Sequence, residues 1–341
     1  MRISGKLCLV FLWAVSFGAS ASTLQSDDHP TPYAERADVQ AYIQELVAEH
    51  AFSRSWLEAA FAQARQRDDI IERISAPAEK VWTWGRYRKH LVDDARIAQG
   101  VEFWAAHEAT IRRASQTFGV AQEMIVAILG IETLYGRIKG NYRVIDALTT
   151  LGFDYPPRAK FFRKELTEFL LLVREEGKDP LAVMGSYAGA MGYGQFISSS
   201  YRYYAVDFDG DGVRDIWQDP VDAVGSIANY FSKHRWSGQY PAAVPVVVSD
   251  HQMADAELVD GSLNLSRTVG ELRAKGVQVE GLDASLKAAL YKFEGDQGTE
   301  YWVALHDFYV ITRYNRSTLY ALAAFQLAQA IKAERLTSQN S

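Results

Sequence analysis

Cysteine is almost absent: the 341 residues hold one, Cys8. It falls inside an N-terminal stretch with the marks of an export leader. Arg2 and Lys6 precede an apolar run at residues 7–17, and Gly18, Ala19, Ser20 and Ala21 supply a small-residue cleavage pattern, with cleavage expected after Ala21. Gly5, Lys6 and Leu7 ahead of Cys8 do not resemble a lipoprotein processing site. The mature chain then has no cysteine, which excludes disulfides, a thiolate nucleophile and sulfur metal ligands. The seven histidines show no metal-ligand spacing; Ile111 stands where a second histidine would follow His107-Glu108. The leader's apolar run is too short to span a membrane. No phosphate loop is present. Positive charge is also scarce: the net charge of −6 becomes −8 once Arg2 and Lys6 leave with the leader, which argues against a nucleic-acid partner.

What is present is ordinary for a globular chain, 48% hydrophobic and 23% charged, with length for two or three packed units. Residues 22–34 read as a polar tether. Val39, Tyr42, Ile43, Leu46 and Val47 recur at helical spacing, and helices are expected over residues 55–66, 69–74, 100–118, 161–176, 222–234 and 318–335. Residues 308–314 return to the main body. Short β-branched runs at 244–248, 277–279 and 288–293, with Gly and Asp turns between them, predict a small antiparallel β unit over 241–300. The fold class is therefore mainly α (α+β). The aromatic and basic run at residues 82–90 reads as a domain seam or a cleft wall, with Tyr87 as its cleft candidate.

Three stretches carry chemistry. Residues 124–136, MIVAILGIETLYG, form an apolar helix-length run with one carboxylate, Glu132. Burying an ionised carboxylate costs several kcal/mol or more unless it is paired or protonated. Glu132 therefore sits on a wet face, pairs with Arg137 or Arg143, or is kept as a general acid with a raised pKa. Residues 186–196, SYAGAMGYGQF, hold glycines alternating with aromatics, a backbone that allows close approach beside rings that can face sugars. Their glycine order is not a dinucleotide fingerprint, and Ser186 lacks the flanks of a nucleophile elbow. In residues 207–215, DFDGDGVRD, carboxylates stand at positions 1, 3, 5 and 9 with glycine at 6, as in a calcium loop. Asp207, Asp209, Asp211 and the Val213 carbonyl are the expected ligands. Position 12 is Gln218 rather than Glu, so Asp222, or else Asp219, is expected to close the shell of a structural Ca2+. No organic cofactor is expected.

Ile131-Glu132-Thr133-Leu134-Tyr135-Gly136, Phe153-Asp154-Tyr155-Pro156, the 186–196 loop, the calcium loop and Ala228-Asn229-Tyr230 occur in that order. Over residues 35–335 this resembles the lytic murein transglycosylase B family, in its soluble, non-lipidated form. The resemblance implies a lysozyme-like α core at 101–240, rejoined by 301–315, a helical domain of 35–100 completed by 316–335, and the small β domain at 241–300. It implies cleavage of the β-1,4 bond between N-acetylmuramic acid and N-acetylglucosamine with a 1,6-anhydromuramoyl product. Glu132 takes the role of sole acid/base. Ser186, Gln195 and Phe196 match sugar-lining positions, with Tyr187 and Met191 of the same loop counted beside them. Tyr230, Tyr87, Tyr309 and Tyr314 match cleft positions, and Arg158 matches one that meets the stem peptide. Phe161 departs from a tyrosine common in the family. The implied setting is a periplasmic monomer without a membrane span, acting on peptidoglycan strands, with other cell-wall enzymes as candidate partners. A hydrolytic muramidase and a non-catalytic peptidoglycan-binding scaffold are the alternatives.

Overall fold

A computed structural model describes residues 31–75, 82–251 and 254–339. The expected leader, its cleavage point and Cys8 lie outside the described residues. In chain order the helices are α1 (Ala37–His50), α2 (Arg54–Gln63), α3 (Asp68–Ser75), α4 (Trp84–Leu91), α5 (Asp94–Ala106), α6 (Glu108–Phe118), α7 (Gln122–Thr133), α8 (Val144–Phe153) and α9 (Ala159–Glu175). They continue with α10 (Ser198–Tyr204), α11 (Pro220–Lys233), α12 (Val269–Ala274), α13 (His306–Tyr314) and α14 (Thr318–Gln339). The strands are β1 (Tyr142–Arg143), β2 (Met184–Gly185), β3 (Ala243–Val248), β4 (Arg267–Thr268), β5 (Val277–Gln278), β6 (Lys287–Gly295) and β7 (Gly298–Ala304). The fold class is the expected one, mainly helical with a small antiparallel sheet.

Packing divides the chain into two units. Among the described residues one holds 31–75 and 139–203, the other 82–138 and 204–339. In the first, α8 and α9 are the central pair, and α3 packs on α8. Val144, Ile145, Leu148 and Leu151 of α8 and Phe162, Leu166, Phe169 and Leu170 of α9 are buried. Buried polar groups tie the periphery to this pair. Asp146 accepts from the Arg65 backbone at 2.9 Å and pairs with Arg143 at 2.8 Å. Glu165 accepts from the backbone N–H and hydroxyl of Ser199, both at 2.9 Å, which anchors the start of α10.

In the second unit α7 lies at the centre, with α14, α5, α6 and α11 against it. Every residue from Met124 to Thr133 is buried, and each fully buried Leu or Ile there contributes about 1.5–3 kcal/mol. The sheet runs β4-β6-β7-β3-β5, antiparallel throughout. Leu290 and Val244 both register with Val303, and with Val248, Leu258, Val269 and Leu272 they pack a small core of their own. β7 carries the sheet to residue 304, past the expected end at 300.

Three expected boundaries move for local reasons. The helix expected over 100–118 is broken at His107, whose φ −119 and ψ 25 end α5 and begin α6. The helix expected through residue 136 stops at Thr133, because Leu134, Tyr135 and Gly136 all take positive φ. The last helix packs on α4 and α5, whereas α1–α3 pack with residues 139–203. Among the described residues no single helix is long and apolar enough to cross a membrane.

Candidate active site

Glu132 lies one residue before the end of α7 and is 8% exposed. That rules out the wet face, and Arg143 is engaged with Asp146. Glu132 Oε1 accepts a hydrogen bond from the Tyr320 hydroxyl at 2.5 Å. Tyr320, the only tyrosine of α14, is fully buried. Burial first, and then the Glu132 charge, push its hydroxyl well above the ordinary tyrosine value, with Tyr314 and Tyr87 adding to the effect. The phenol therefore stays protonated and acts as a donor. The groups acting on it are one carboxylate and two further phenols.

The turn after Glu132 holds the helix end in place. Leu134 (φ 49, ψ 53), Tyr135 (φ 58) and Gly136 (φ 86) form a left-handed run, which costs a residue with a side chain about 1–2 kcal/mol. Backbone bonds offset this: Tyr135 N–H donates to Leu129 O at 3.0 Å and Ile138 N–H to Thr133 O at 2.9 Å. The Tyr135 hydroxyl donates to Arg96 O at 2.8 Å, and the Arg96 guanidinium returns to Gly130 O at 3.2 Å and to Asp93 at 2.8 Å. A Cβ at Gly100 of α5 or Gly130 of α7 would stand 2.5 Å from the Tyr135 hydroxyl oxygen. Both glycines are thus packing positions that admit the tyrosine.

Four of the expected cleft tyrosines share this unit. Tyr87 is fully buried on α4, near Trp82 at 6.4 Å between ring centroids. Tyr230 on α11 donates to Arg313 O at 2.5 Å, stacks on His234 at 4.2 Å and meets Tyr314 edge-on at 4.7 Å. Tyr314 also stacks on Phe231 at 5.6 Å. Tyr309 is half-buried, with the Arg313 guanidinium 4.3 Å above its ring.

Ser186, Tyr187, Met191, Gln195, Phe196 and Arg158 belong to the other unit. The glycine-rich loop is a compact double turn. Gly185 pairs with Met191, and Met191 exchanges both backbone bonds with Phe196 at 2.9 Å. The Ser186 hydroxyl oxygen accepts from Ala190 N–H at 3.1 Å. Gln195 takes φ 48, and its side-chain amide donates to Gly192 O and Lys139 O at 3.0 and 3.2 Å. Met191 is fully buried, and Tyr187 and Phe196 nearly so. Arg158 lies over Phe161 and Phe162 at 4.3 and 4.9 Å.

The acidic loop precedes α11. Asp207 accepts from Gly210 and Gly212 N–H at 2.7 and 2.9 Å, and Asp211 from Val213 N–H at 2.8 Å. Asp222 is buried and accepts from Phe208 and Asp215 N–H at 2.6 and 2.7 Å; burial pushes its carboxyl up against those donors. Oxygens of Asp207, Asp209 and Asp211 lie within 4.8 Å of one another, as do those of Asp209, Asp219 and Asp222. Two oxygens on one calcium, each about 2.4 Å away, can be at most about 4.8 Å apart. The hard-oxygen donor set therefore fits calcium, with Asp209 common to both groups. Asp219 and Asp222, the alternatives for closing the shell, both reach Asp209. Asp219 is also the N-cap of α11, accepting from Val221 N–H at 2.7 Å.

The family model described as Transglycosylase SLT domain matches residues 34–329. The chain belongs to this family. It is 40% identical over 316 residues to membrane-bound lytic murein transglycosylase B of Escherichia coli (strain K12), covering 89% of this chain and 85% of that one. Among solved structures, soluble lytic transglycosylase SltB1 from Pseudomonas aeruginosa is 48% identical with a TM-score of 0.83, covering 87% of this chain and 99% of that one. Escherichia coli lytic transglycosylase Slt35 in complex with calcium is 40% identical with a TM-score of 0.81, covering 90% and 96%. SltB3 from Pseudomonas aeruginosa in complex with NAG-NAM-pentapeptide is 30% identical with a TM-score of 0.72, covering 86% and 78%. By sequence and by structure the chain is thus a lytic murein transglycosylase, of an enzyme class that cleaves peptidoglycan, as the resemblance implied.

Tyr320 is the residue that the sequence reading does not reach. Its one local sign is a hydroxyl-bearing ring in an Ala/Leu-rich helix.

Proposed function

We propose that this enzyme cleaves the β-1,4 bond between N-acetylmuramic acid and N-acetylglucosamine with Glu132 as its single acid/base, and that the product ends in a 1,6-anhydromuramoyl ring. The observation that carries the reading is a buried carboxyl that accepts a hydrogen bond from a buried phenol, in a chain of this family. Because Tyr320 occupies Oε1, the transferable proton is assigned to Oε2. The protonated Glu132 donates to the glycosidic oxygen as the bond to the muramoyl C1 breaks. The substrate's 2-acetamido oxygen stabilises the developing cation. The Glu132 carboxylate then takes the proton of the C6 hydroxyl while that oxygen bonds to C1, closing the ring and restoring the acid. A glycosidase working with water uses two carboxylates about 5–9.5 Å apart; a substrate that supplies its own nucleophiles needs one.

The reading keeps Ser186, Tyr187, Met191, Gln195, Phe196, Tyr230, Tyr87, Tyr309 and Tyr314 as glycan contacts and Arg158 as a stem-peptide contact. Asp207, Asp209, Asp211, the Val213 carbonyl and Asp222 or Asp219 would hold a structural Ca2+. The place of action is the periplasm, and the enzyme works as a monomer.

Mass spectrometry of the muropeptides released from purified murein tests the reaction. Anhydro ends with wild type and no release with Glu132→Gln are expected. Reducing ends instead would make the enzyme a muramidase, and release by the variant at the wild-type rate would remove Glu132 from the role.

A further inference from the structure

Several arginines in this protein that are buried or half-buried carry carboxylate partners, while the half-buried Arg267 and Arg273 donate to the backbone carbonyls of Glu257 and of Val279 and Leu282. Arg36, Arg96, Arg143, Arg202 and Arg335, with side chains between 9% and 26% exposed, pair with Asp154, Asp93, Asp146, Glu168 and Glu108. Arg313 and Arg316 have neither kind of acceptor among the described residues. Both are half-buried, yet among the described residues neither forms an ion pair, and the Nε–H of each is buried without a hydrogen-bond acceptor. Of the five N–H groups on each guanidinium, one on Arg313 donates to Thr312 Oγ1 at 2.9 Å. Burial disfavours the Arg313 charge, and the neighbouring Arg316 charge disfavours it further. Two adjacent, partly desolvated cations without a counter-charge are costly in a chain of net charge −6.

Their position suggests the use. Arg313 lies in the last turn of α13, where the helix dipole favours a cation, but that accounts for one positive charge and not for two. Arg313 lies over the Tyr309 ring, and its carbonyl takes the Tyr230 hydroxyl. Arg313 is therefore built into the same tyrosine cluster as Tyr314, and the Arg316 charge acts on it from three residues on. A guanidinium matches a carboxylate with two parallel N–H donors, so the chemistry complementary to this pair is an organic carboxylate carried by the glycan that the tyrosines would hold.

We propose that Arg313 and Arg316 form an anion subsite that binds a carboxylate of the peptidoglycan strand. This rests on the reading of the substrate given above. Two sources share the chemistry: a free carboxyl of the stem peptide, or the lactyl carboxyl of a muramoyl residue that has lost its stem. The subsite contributes to binding and leaves the proton transfers to Glu132.

Binding separates this inference from the reaction. A GlcNAc-MurNAc-pentapeptide lacks the bond to be cleaved and serves as probe, followed by tryptophan fluorescence. Wild type should bind it about tenfold more tightly than the same compound with its carboxyls converted to methylamides, the worth of one charge-assisted contact. Arg316→Gln should lose that preference, Arg316→Lys should keep part of it, and Arg313→Gln with Arg316→Gln should abolish it. Arg316→Gln removes no hydrogen bond among the described residues, so its melting temperature should stay at the wild-type value. The stem-free disaccharide, with a free lactyl carboxyl, identifies the source: an arginine-dependent gain with it assigns the lactyl group, and a gain only with the pentapeptide assigns the stem. Equal affinity of wild type for the acid and methylamide forms of both the pentapeptide and the stem-free disaccharide, absence of binding, or wild-type binding by the double variant would overturn the inference. Cleavage of murein alongside arginine-independent binding sinks the subsite alone. Arginine-dependent binding by an enzyme that releases no muropeptide sinks the reaction alone.

Discussion

Tyr320 donates its hydroxyl to Glu132 Oε1 across 188 residues of sequence, inside the core formed by α7 and α14. The donor stabilises the ionised carboxylate more than the acid. Removing it in Tyr320→Phe therefore raises the pKa of Glu132. In the proposed cycle the free enzyme must hold Glu132 protonated, so kcat/KM falls as pH rises through that value. The variant should move this alkaline fall to higher pH, lower kcat by roughly tenfold or more, equivalent to about 1.4 kcal/mol, and destabilise the fold by about 1–3 kcal/mol. A pH–rate profile that coincides with wild type would show that Tyr320 only packs.

Glu132→Gln keeps the shape and an acceptor oxygen for Tyr320 while deleting the proton that the proposed cycle transfers. General acid–base groups contribute roughly 10²–10⁴-fold, and a group used in both steps is expected at the upper end. Turbidity clearance of a murein suspension should fall at least about 10³-fold, with the thermal midpoint held within a few degrees of wild type. A fall in activity that tracked a collapse of the midpoint would mean that the substitution had damaged the core and had not tested the acid.

How far the sequence alone reaches is seen at these same residues. Glu132 is legible because one charge in an otherwise apolar helical run conflicts with its surroundings. The acidic loop is legible because turn chemistry is local, with each aspartate bonding a backbone N–H a few residues on. Tyr320 is not, since a contact 188 residues away leaves no periodic trace. The early end of α7 is not legible either, because neither Leu134 nor Tyr135 is a helix breaker, and their left-handed backbone is imposed by the Tyr135 ring reaching Arg96. Gly100 and Gly130 read as ordinary helix glycines until that ring is seen against them. The same limit hides the Arg313–Arg316 pair, whose significance is that neither forms an ion pair among the described residues.

Calcium should matter to stability more than to chemistry. The oxygens of Asp207, Asp209, Asp211, Asp219 and Asp222 fall into two groups of calcium-ligand size that share Asp209, at the entry to α11, which packs on α7. An ion at a hundred times its Kd stabilises the folded state by about 2.7 kcal/mol, which for a domain of this size is roughly 5–10 °C in Tm. A chelator should lower the calorimetric midpoint by that amount, and added calcium should restore it. Asp209→Asn, which weakens both groups, should abolish the response. A midpoint that ignores both chelator and calcium would mean that the loop binds no ion of structural consequence.

Gly130→Ala sets two local effects against each other. In a helix interior the change normally stabilises by up to about 1 kcal/mol, because alanine has less backbone freedom to lose. Here the added Cβ would stand 2.5 Å from the Tyr135 hydroxyl oxygen and 2.6 Å from Cζ of the ring. The ring cannot withdraw without giving up its bond to Arg96 O. Overpacking of this kind costs about 1–3 kcal/mol, so the clash should win and denaturant unfolding should show a net loss of about 1–2 kcal/mol. Gly130 is two residues from Glu132, so the displacement is passed directly to the turn that follows Glu132, and on the proposed reading kcat should fall with KM little changed. Tyr135→Ala in the same chain removes the obstructing ring, and the cost of Gly130→Ala measured in that background should shrink or reverse, a coupling that a double-mutant cycle reads directly. If Gly130→Ala were stabilising in the wild-type background, the Tyr135 ring would not be the wedge that fixes the end of α7.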